Sequence, residues 1–158
     1  MDESAAEQQD VVLIADDAQV LRFPATAVRP TGRGAGAMAG IKLAQGAELI
    51  GAFAVDRSRP AVLVTIAGSS SALPGTDAGT VKVSDLAEIP TKGRATGGVR
   101  SHKFRSGEDA LQLGWAGPFP ARAASASGVP IDLPTALARR DATGTPGSLP
   151  VAALGGPL

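Results

Sequence analysis

The chain has 158 residues with 15 basic and 15 acidic side chains and no cysteine, so it is formally neutral and can build neither a disulfide framework nor a thiolate metal site. Leu, Ile, Val and Phe supply 36 residues, just above the roughly 20% level at which chains become disordered, and 20 glycines and 12 prolines push the same way, so a core is possible but thin. The acidic, polar opening MDESAAEQQD excludes a secretory signal or amphipathic transit peptide, and no apolar run approaches the ~20 residues that span a bilayer; the sequence reads as cytoplasmic, with no membrane partner.

In chain order, residues 1–9 form an acidic leader expected to be disordered. Val11–Ile14 is a compact apolar run, and Gln19–Phe23 alternates around Leu21 and Phe23; Asp16-Asp17 between them reads as a turn. Ile41–Leu43, Leu49–Val55 and Ala61–Ile66 follow as strands, each bounded by turn residues. The stretch AGSSSALPGTDAGT, residues 67–80, has one large apolar residue and reads as a loop. Later strand candidates are Val81–Val83, His102–Phe104, Ala110–Trp115, Val129–Leu133 and Leu149–Leu154. Leu133–Arg140 is the best helix candidate, but it is short and opens on Leu-Pro. The expected class is all-β.

Neutrality hides an uneven distribution of charge. Residues 1–21 hold six acids and no bases, residues 22–105 hold twelve bases and five acids, and residues 106–158 hold three bases and four acids. A central block this basic suggests a polyanionic partner. The block also repeats. Gly32-Arg33 matches Gly93-Arg94 at an offset of 61, with Gly36 on Gly97, Lys42 on Lys103, Leu43 on Phe104 and Gly46 on Gly107. Upstream, Val12-Leu13-Ile14 matches Val62-Leu63-Val64 at an offset of 50, and an insertion in the 67–80 loop accounts for the difference. The repeating unit has about 50 residues and four short strands, the size of a propeller-type blade. Expected blade-like units are 10–59, 60–117 with its insertion at 67–80, and 118–158 as a partial terminal blade or tail.

The stretches VVLIADDAQVLRFPATAVRPTGRGAGAMAGIKLAQGAELI and VKVSDLAEIPTKGRATGGVRSHKF resemble blades of the C-terminal β-pinwheel of type IIA topoisomerases. This is the DNA-wrapping domain of the DNA gyrase A subunit and of its topoisomerase IV counterpart, and the resemblance leans towards the latter. The second copy carries the family's Gly-Arg-x-x-x-Gly-Val pattern as Gly93, Arg94, Gly98 and Val99, while the first has Ala37 and Met38 at the last two places. Neither copy has the full Gln-Arg-Arg-Gly-Gly-Lys-Gly box; TGRGAGA and KGRATGG stand there, so tight wrapping and the introduction of negative supercoils are not implied. The resemblance implies a β-pinwheel of two clear blades and a partial third, a fragment of a longer topoisomerase A subunit. It implies duplex DNA and the other domains and subunits of such an enzyme as partners, and a nucleoid-associated location.

The chain contains no tyrosine, the residue whose phenolate breaks DNA in these enzymes, so it cannot itself cut and rejoin strands. It lacks a Gly-x-x-x-x-Gly-Lys-Ser/Thr run, so no cofactor is expected within it; ATP and Mg would belong to other parts of the parent enzyme. With one histidine and no cysteine, no metal site is expected. What remains is electrostatics. Arg29, Arg33, Lys42, Lys92, Arg94, Arg100, Lys103 and Arg105 cluster on and after the two Gly-Arg loops. Glycine lets backbone approach a phosphate closely, and arginine offers it a two-pronged donor, which together suit sequence-independent grip on a duplex. Loop cations between strands are often merely solvated, and the repetition of the pattern is what argues for a surface. Two other readings compete: a truncated structural or protein-interaction remnant without DNA binding, and a single-strand nucleic-acid-binding β-domain. The second is disfavoured because four Phe and one Trp, none interleaved with the basic cluster, leave little on which to stack bases. His102 and Trp115 read as buried side chains, and Arg139-Arg140-Asp141 as a surface turn able to continue the basic rim.

Overall fold

The computed structural model describes residues 8–25, 46–69, 79–92, 98–134, 136–147 and 150–156. It is all-β among these residues, with eleven strands: β1 (Gln9–Ala15), β2 (Gln19–Pro24), β3 (Leu49–Asp56), β4 (Ala61–Gly68), β5 (Thr80–Asp85), β6 (Val99–Arg100), β7 (Ala110–Pro118), β8 (Arg122–Ala124), β9 (Pro130–Ile131), β10 (Thr145–Pro146) and β11 (Ala153–Gly155). A 3-10 turn, Leu86–Glu88, is capped by the Asp85 carboxylate accepting from Ala87 N. The strands form three antiparallel sheets, of order β3-β1-β2-β6, β10-β5-β4-β7 and β11-β8-β9. Two four-stranded blades and a smaller third are thus the pinwheel architecture expected.

The first two sheets are built alike. Each centres on a hairpin, β1–β2 or β4–β5, and the first strand of the hairpin also pairs with the strand that leads out of the blade, β3 or β7. The fourth strand comes from further along the chain. β6, which follows β5, returns to pair with β2, and β10, which follows β9, returns to pair with β5. Neighbouring sheets pack along β3, β7 and β11, so β6 and β10 lie on the opposite, outer edges of their sheets.

Continuous apolar runs become strands buried on both faces. In β1, Val12, Leu13, Ile14 and Ala15 are all buried, and in β4 every residue from Val62 to Gly68 is. Val12, Ile14 and Val20 face the second sheet and share a cluster with Leu63, Ala67, Leu111 and Ala116. The other face of the second sheet, Val62, Val64, Ile66, Val81 and Val83, packs against Ala121, Leu133, Val151 and Leu154. Each such side chain, fully buried, contributes about 1.5–3 kcal/mol.

Register corrects the sequence alignment in one respect. Ile14 pairs with Val20 and Gly51, while Ile66 pairs with Val81 and Leu113, and a bulge follows each isoleucine. Ile14 therefore corresponds to Ile66, an offset of 52 rather than 50. An even slip leaves every side chain on its own face, so a run of Val, Leu and Ile conceals it. The second hairpin strands do correspond at 61, Val20 to Val81, which places the insertion in the loop between β4 and β5. Two other expectations change. His102–Phe104 is not a strand, since β6 ends at Arg100, and the described residues of 133–140 form no helix but an extended crossover into β10. Leu133-Pro134 starts that segment away from helical geometry. The candidate strand Ile41–Leu43 lies outside the described residues.

Candidate nucleic-acid interface

Of the eight cations singled out in the sequence, Lys92, Arg100, Lys103 and Arg105 are described, and all four are exposed. Arg29, Arg33, Lys42 and Arg94 lie outside the described residues. The chain reaches the outer edge of the first sheet at Thr91, which bridges Arg22, and Lys92 N donates to Arg22 O at 2.8 Å. It rejoins that edge at β6, where Val99 and Arg100 pair with Val20 and Gln19. The close return requires glycine at position 98, because a Cβ there would sit 2.3 Å from the carbonyl oxygen of Val20. Lys92 and Arg100 thus flank the Gly-Arg stretch in sequence, both on the β2 side of the first sheet.

Beyond β6 the chain is pinned to the crossover that feeds the second sheet. Ser101 N and Oγ both donate to Ala18 O at 2.8 Å, Lys103 N donates to Ala142 O at 2.9 Å, and an Arg105 guanidinium nitrogen donates to Gly144 O at 2.8 Å. Arg140 reaches back, its guanidinium donating to Arg100 O at 2.9 Å. Segments 99–105 and 139–144 are therefore held side by side, and they bring Arg100, Lys103, Arg105, Arg139 and Arg140 to neighbouring places on the outer side of the molecule.

A buried polar network anchors this arrangement, and His102 is at its centre. Thr80 Oγ1 donates to Glu108 Oε2 at 2.5 Å. A hydroxyl has one proton, so Thr80 can only accept from His102 Nε2, at 3.1 Å, and Nδ1 then accepts from Thr65 Oγ1 at 2.9 Å. The ring is neutral: burial lowers its pKa to about 4, the nearby Lys82 charge and Arg105 push the same way, and Glu108 opposes them. Glu108 Oε1 accepts from Arg105 N at 2.6 Å, closing the network beneath an exposed arginine. Sequence reasoning placed His102 in a buried position but gave no partner for it. The partners come from β4 and β5, which no local pattern could pair with it.

Ion pairing elsewhere is structural. Asp10 is fully buried between Arg22 Nε at 2.7 Å and Arg57 at 3.0 Å, and a further Arg22 nitrogen donates to Leu86 O at 3.0 Å. Arg22, the first base of the central block, is thereby committed to holding the β5–β6 crossover on the first sheet. Among the described residues no three His, Cys, Asp or Glu side chains are placed to hold a metal ion, and no helix is long and apolar enough to cross a membrane.

The family model described as DNA gyrase C-terminal domain, beta-propeller, matches residues 9–56 and 75–112. The chain belongs to that family. The returned edge strand β6 therefore sits on a gyrase-type propeller. Over 102 residues the chain is 35% identical to a topoisomerase subunit, TopoM, of Mycolicibacterium smegmatis, with 64% of this chain and 13% of that protein covered. It is similar in fold to the crystal structure of the C-terminal domain of DNA topoisomerase IV, at a TM-score of 0.70 and 14% identity over 94% of this chain and 46% of that one. The C-terminal domain of DNA gyrase A is similar at a TM-score of 0.59 and 15% identity, over 90% of this chain and 44% of the other. This chain spans less than half of each of those solved domains and about an eighth of TopoM.

Proposed function

We propose that the chain binds duplex DNA without regard to sequence, through the outer edges of its sheets, and guides it for a type IIA topoisomerase of the topoisomerase IV kind. The observation that supports this most is the set of exposed cations around one returned edge strand, Lys92 and Arg100 on either side of the Gly-Arg stretch, with Lys103 and Arg105 following. Guanidinium and ammonium groups on an outer edge can meet phosphates at successive positions along a backbone. Family membership supports the same reading, since topoisomerases act on DNA. Strand cleavage, ATP and Mg belong in this reading to other parts of the enzyme, and the working location is the nucleoid in the cytoplasm.

The test is fluorescence anisotropy of a labelled duplex of about 40 base pairs, titrated with the chain at several salt concentrations. Expected is an affinity that falls linearly on a log–log plot, with a slope counting the phosphate contacts. Arg100→Ala with Lys103→Ala should weaken binding and reduce the slope by about two. A wild-type slope near zero, or unchanged binding by the double variant, would overturn the reading. A preference for single strands would support a single-strand-binding β-domain instead.

A further inference from the structure

The outer edge of the second sheet repeats that of the first, hydrogen bond for hydrogen bond. Lys92 N donates to Arg22 O, and Ala138 N donates to Val83 O at 2.8 Å; Ser101 N donates to Ala18 O, and Gly147 N donates to Gly79 O at 2.9 Å. Both pairs of donors are 46 positions apart and both pairs of acceptors 61 apart, with β6 and β10 between them. Ala18 and Gly79 even share a positive φ, 71° and 59°. In sequence, residues 139–143 therefore fill the interval between these bonds that 93–97 fill at an offset of 46, and Arg139-Arg140 aligns with Gly93-Arg94.

The two stretches differ in what can shape them. Residues 93–97 include two glycines, whereas Arg139, Arg140, Asp141, Ala142 and Thr143 include none. Under the second stretch lies Lys82, 1% exposed. Its Nζ donates to the carbonyl oxygens of Arg139 at 2.8 Å, of Ala142 at 3.2 Å and of Arg140. All three ammonium protons have acceptors, and all three acceptors belong to one turn. Burying an ammonium is unfavourable, and burial pulls the Lys82 pKa down to about 8; Asp141 and Glu88 favour the charge, while Arg140 and Arg100 oppose it, and the adjoining His102 ring is neutral. An aliphatic residue would be easier to bury but would take a donor from each of the three carbonyls, leaving Arg139 O to Ala142 N and Ala142 O to Lys103 N alone.

We infer that Lys82 is a positioning residue for a second duplex-contacting loop, in which its ammonium holds the backbone of residues 139–142 so that Arg139 and Arg140 continue the cationic edge begun by Lys92 and Arg100. The inference rests on the duplex-binding reading and adds to it a residue that no argument from exposed charge would select. Lys82 touches no DNA itself. It acts through the loop, and through Arg140, whose guanidinium ties that loop to β6 by its bond to Arg100 O.

The test uses the full chain and the labelled duplex at pH 7 over a range of salt. Lys82→Met should bind about three- to tenfold more weakly and lose about one phosphate contact from the salt slope. Arg139→Ala should add little to Lys82→Met, because both act on one loop, while Arg100→Ala should add its full effect. Wild-type affinity should also fall more steeply between pH 7 and pH 9 than that of Lys82→Met. Additive losses from Lys82→Met and Arg139→Ala, or wild-type affinity for the duplex from a folded Lys82→Met chain, would overturn the inference. Should Lys82→Met fail to fold, Arg139→Ala decides: unaltered duplex affinity and salt slope overturn the inference, and the loss of about one phosphate contact supports it. A wild-type chain that binds no duplex defeats the broader reading and this one together, whereas binding indifferent to Lys82 defeats this one alone.

Discussion

The first and second sheets meet across a joint that combines aliphatic and polar groups, while the second and third meet across a bed of valine, isoleucine and leucine. In the first joint, Val12, Ile14 and Val20 pack against Leu63, Leu111 and Ala116, and beside them lie Thr65, Thr80, Lys82, Ser101 and His102, all buried. In the second, Val62, Val64, Ile66, Val81 and Val83 receive Ala121, Leu133, Val151 and Leu154. Apolar contact is non-directional and rewards area, so it holds sheets together without insisting on one arrangement. Hydrogen bonds have direction, and a buried network that satisfies each member admits few alternatives. The exposed cations of segments 99–105 and 139–144 hang on the polar joint. Stability and placement of the charged edge are thus separable by mutation.

Breaking the aliphatic joint should have the largest effect. Ile66→Ala removes a fully buried side chain facing the third sheet and should destabilise the chain by about 2–5 kcal/mol, read as a lower midpoint in urea. The duplex affinity of the folded chain should stay the same, since Ile66 lies away from the network; a parallel loss of affinity would show that the two joints are not separable. The polar joint should respond less in stability and differently with pH. His102→Leu leaves Thr65 without its ring partner and should cost about 1–3 kcal/mol. The folded chain keeps His102 neutral down to about pH 4, whereas the unfolded chain takes up the proton near its ordinary value. Between those values the unfolded state binds more protons, so the stabilisation is complete above pH ~6.5 and is lost as the pH falls towards 4, with a slope of up to about 1.4 kcal/mol per unit. Melting temperature followed from pH 7 to pH 4 should show this fall in wild type and less of it in His102→Leu. Equal curves would mean that another group titrates.

Much of the fold was legible because it is carried by apolar runs and by repetition. Val11–Ile14, Leu49–Val55, Ala61–Ile66 and Ala110–Trp115 all lie within observed strands, and β2 and β5 correspond at the same offset of 61 that the sequence shows further along. The returned strands were missed because β6 and β10 have two residues each, too few for any periodicity, and their partners lie about 65 to 80 positions away. Lys82 was not singled out for the same kind of reason. In the string Val-Lys-Val it reads as an alternating, solvent-facing residue, and only the crossover laid over it by a distant stretch makes it buried. Arg139 and Arg140 were read as a surface turn that could extend the rim. Their alignment with Gly93-Arg94 is hidden because one stretch contains two glycines and the other contains none.

The smallest effect should come from a place where the two joints share a residue. Phe53 on β3 and Trp115 on β7 meet edge to face, their centroids 6.5 Å apart at an interplanar angle of 67°, and Trp115 also packs against the aliphatic bed beneath the third sheet. The two residues are equivalent in their blades, since β3 and β7 correspond at 62 positions, so the pair repeats one inner-edge position across the joint. Such a ring pair contributes about 0.5–1.5 kcal/mol beyond the area it buries. A double-mutant cycle with Phe53→Leu and Trp115→Leu, read from urea midpoints, should return a coupling in that range, with duplex affinity unaltered in all three variants. A coupling near zero would mean that the inner edge is held by area alone. Affinity that fell along with it would place the inner edge, and not only the His102 network, in control of where the outer cations sit.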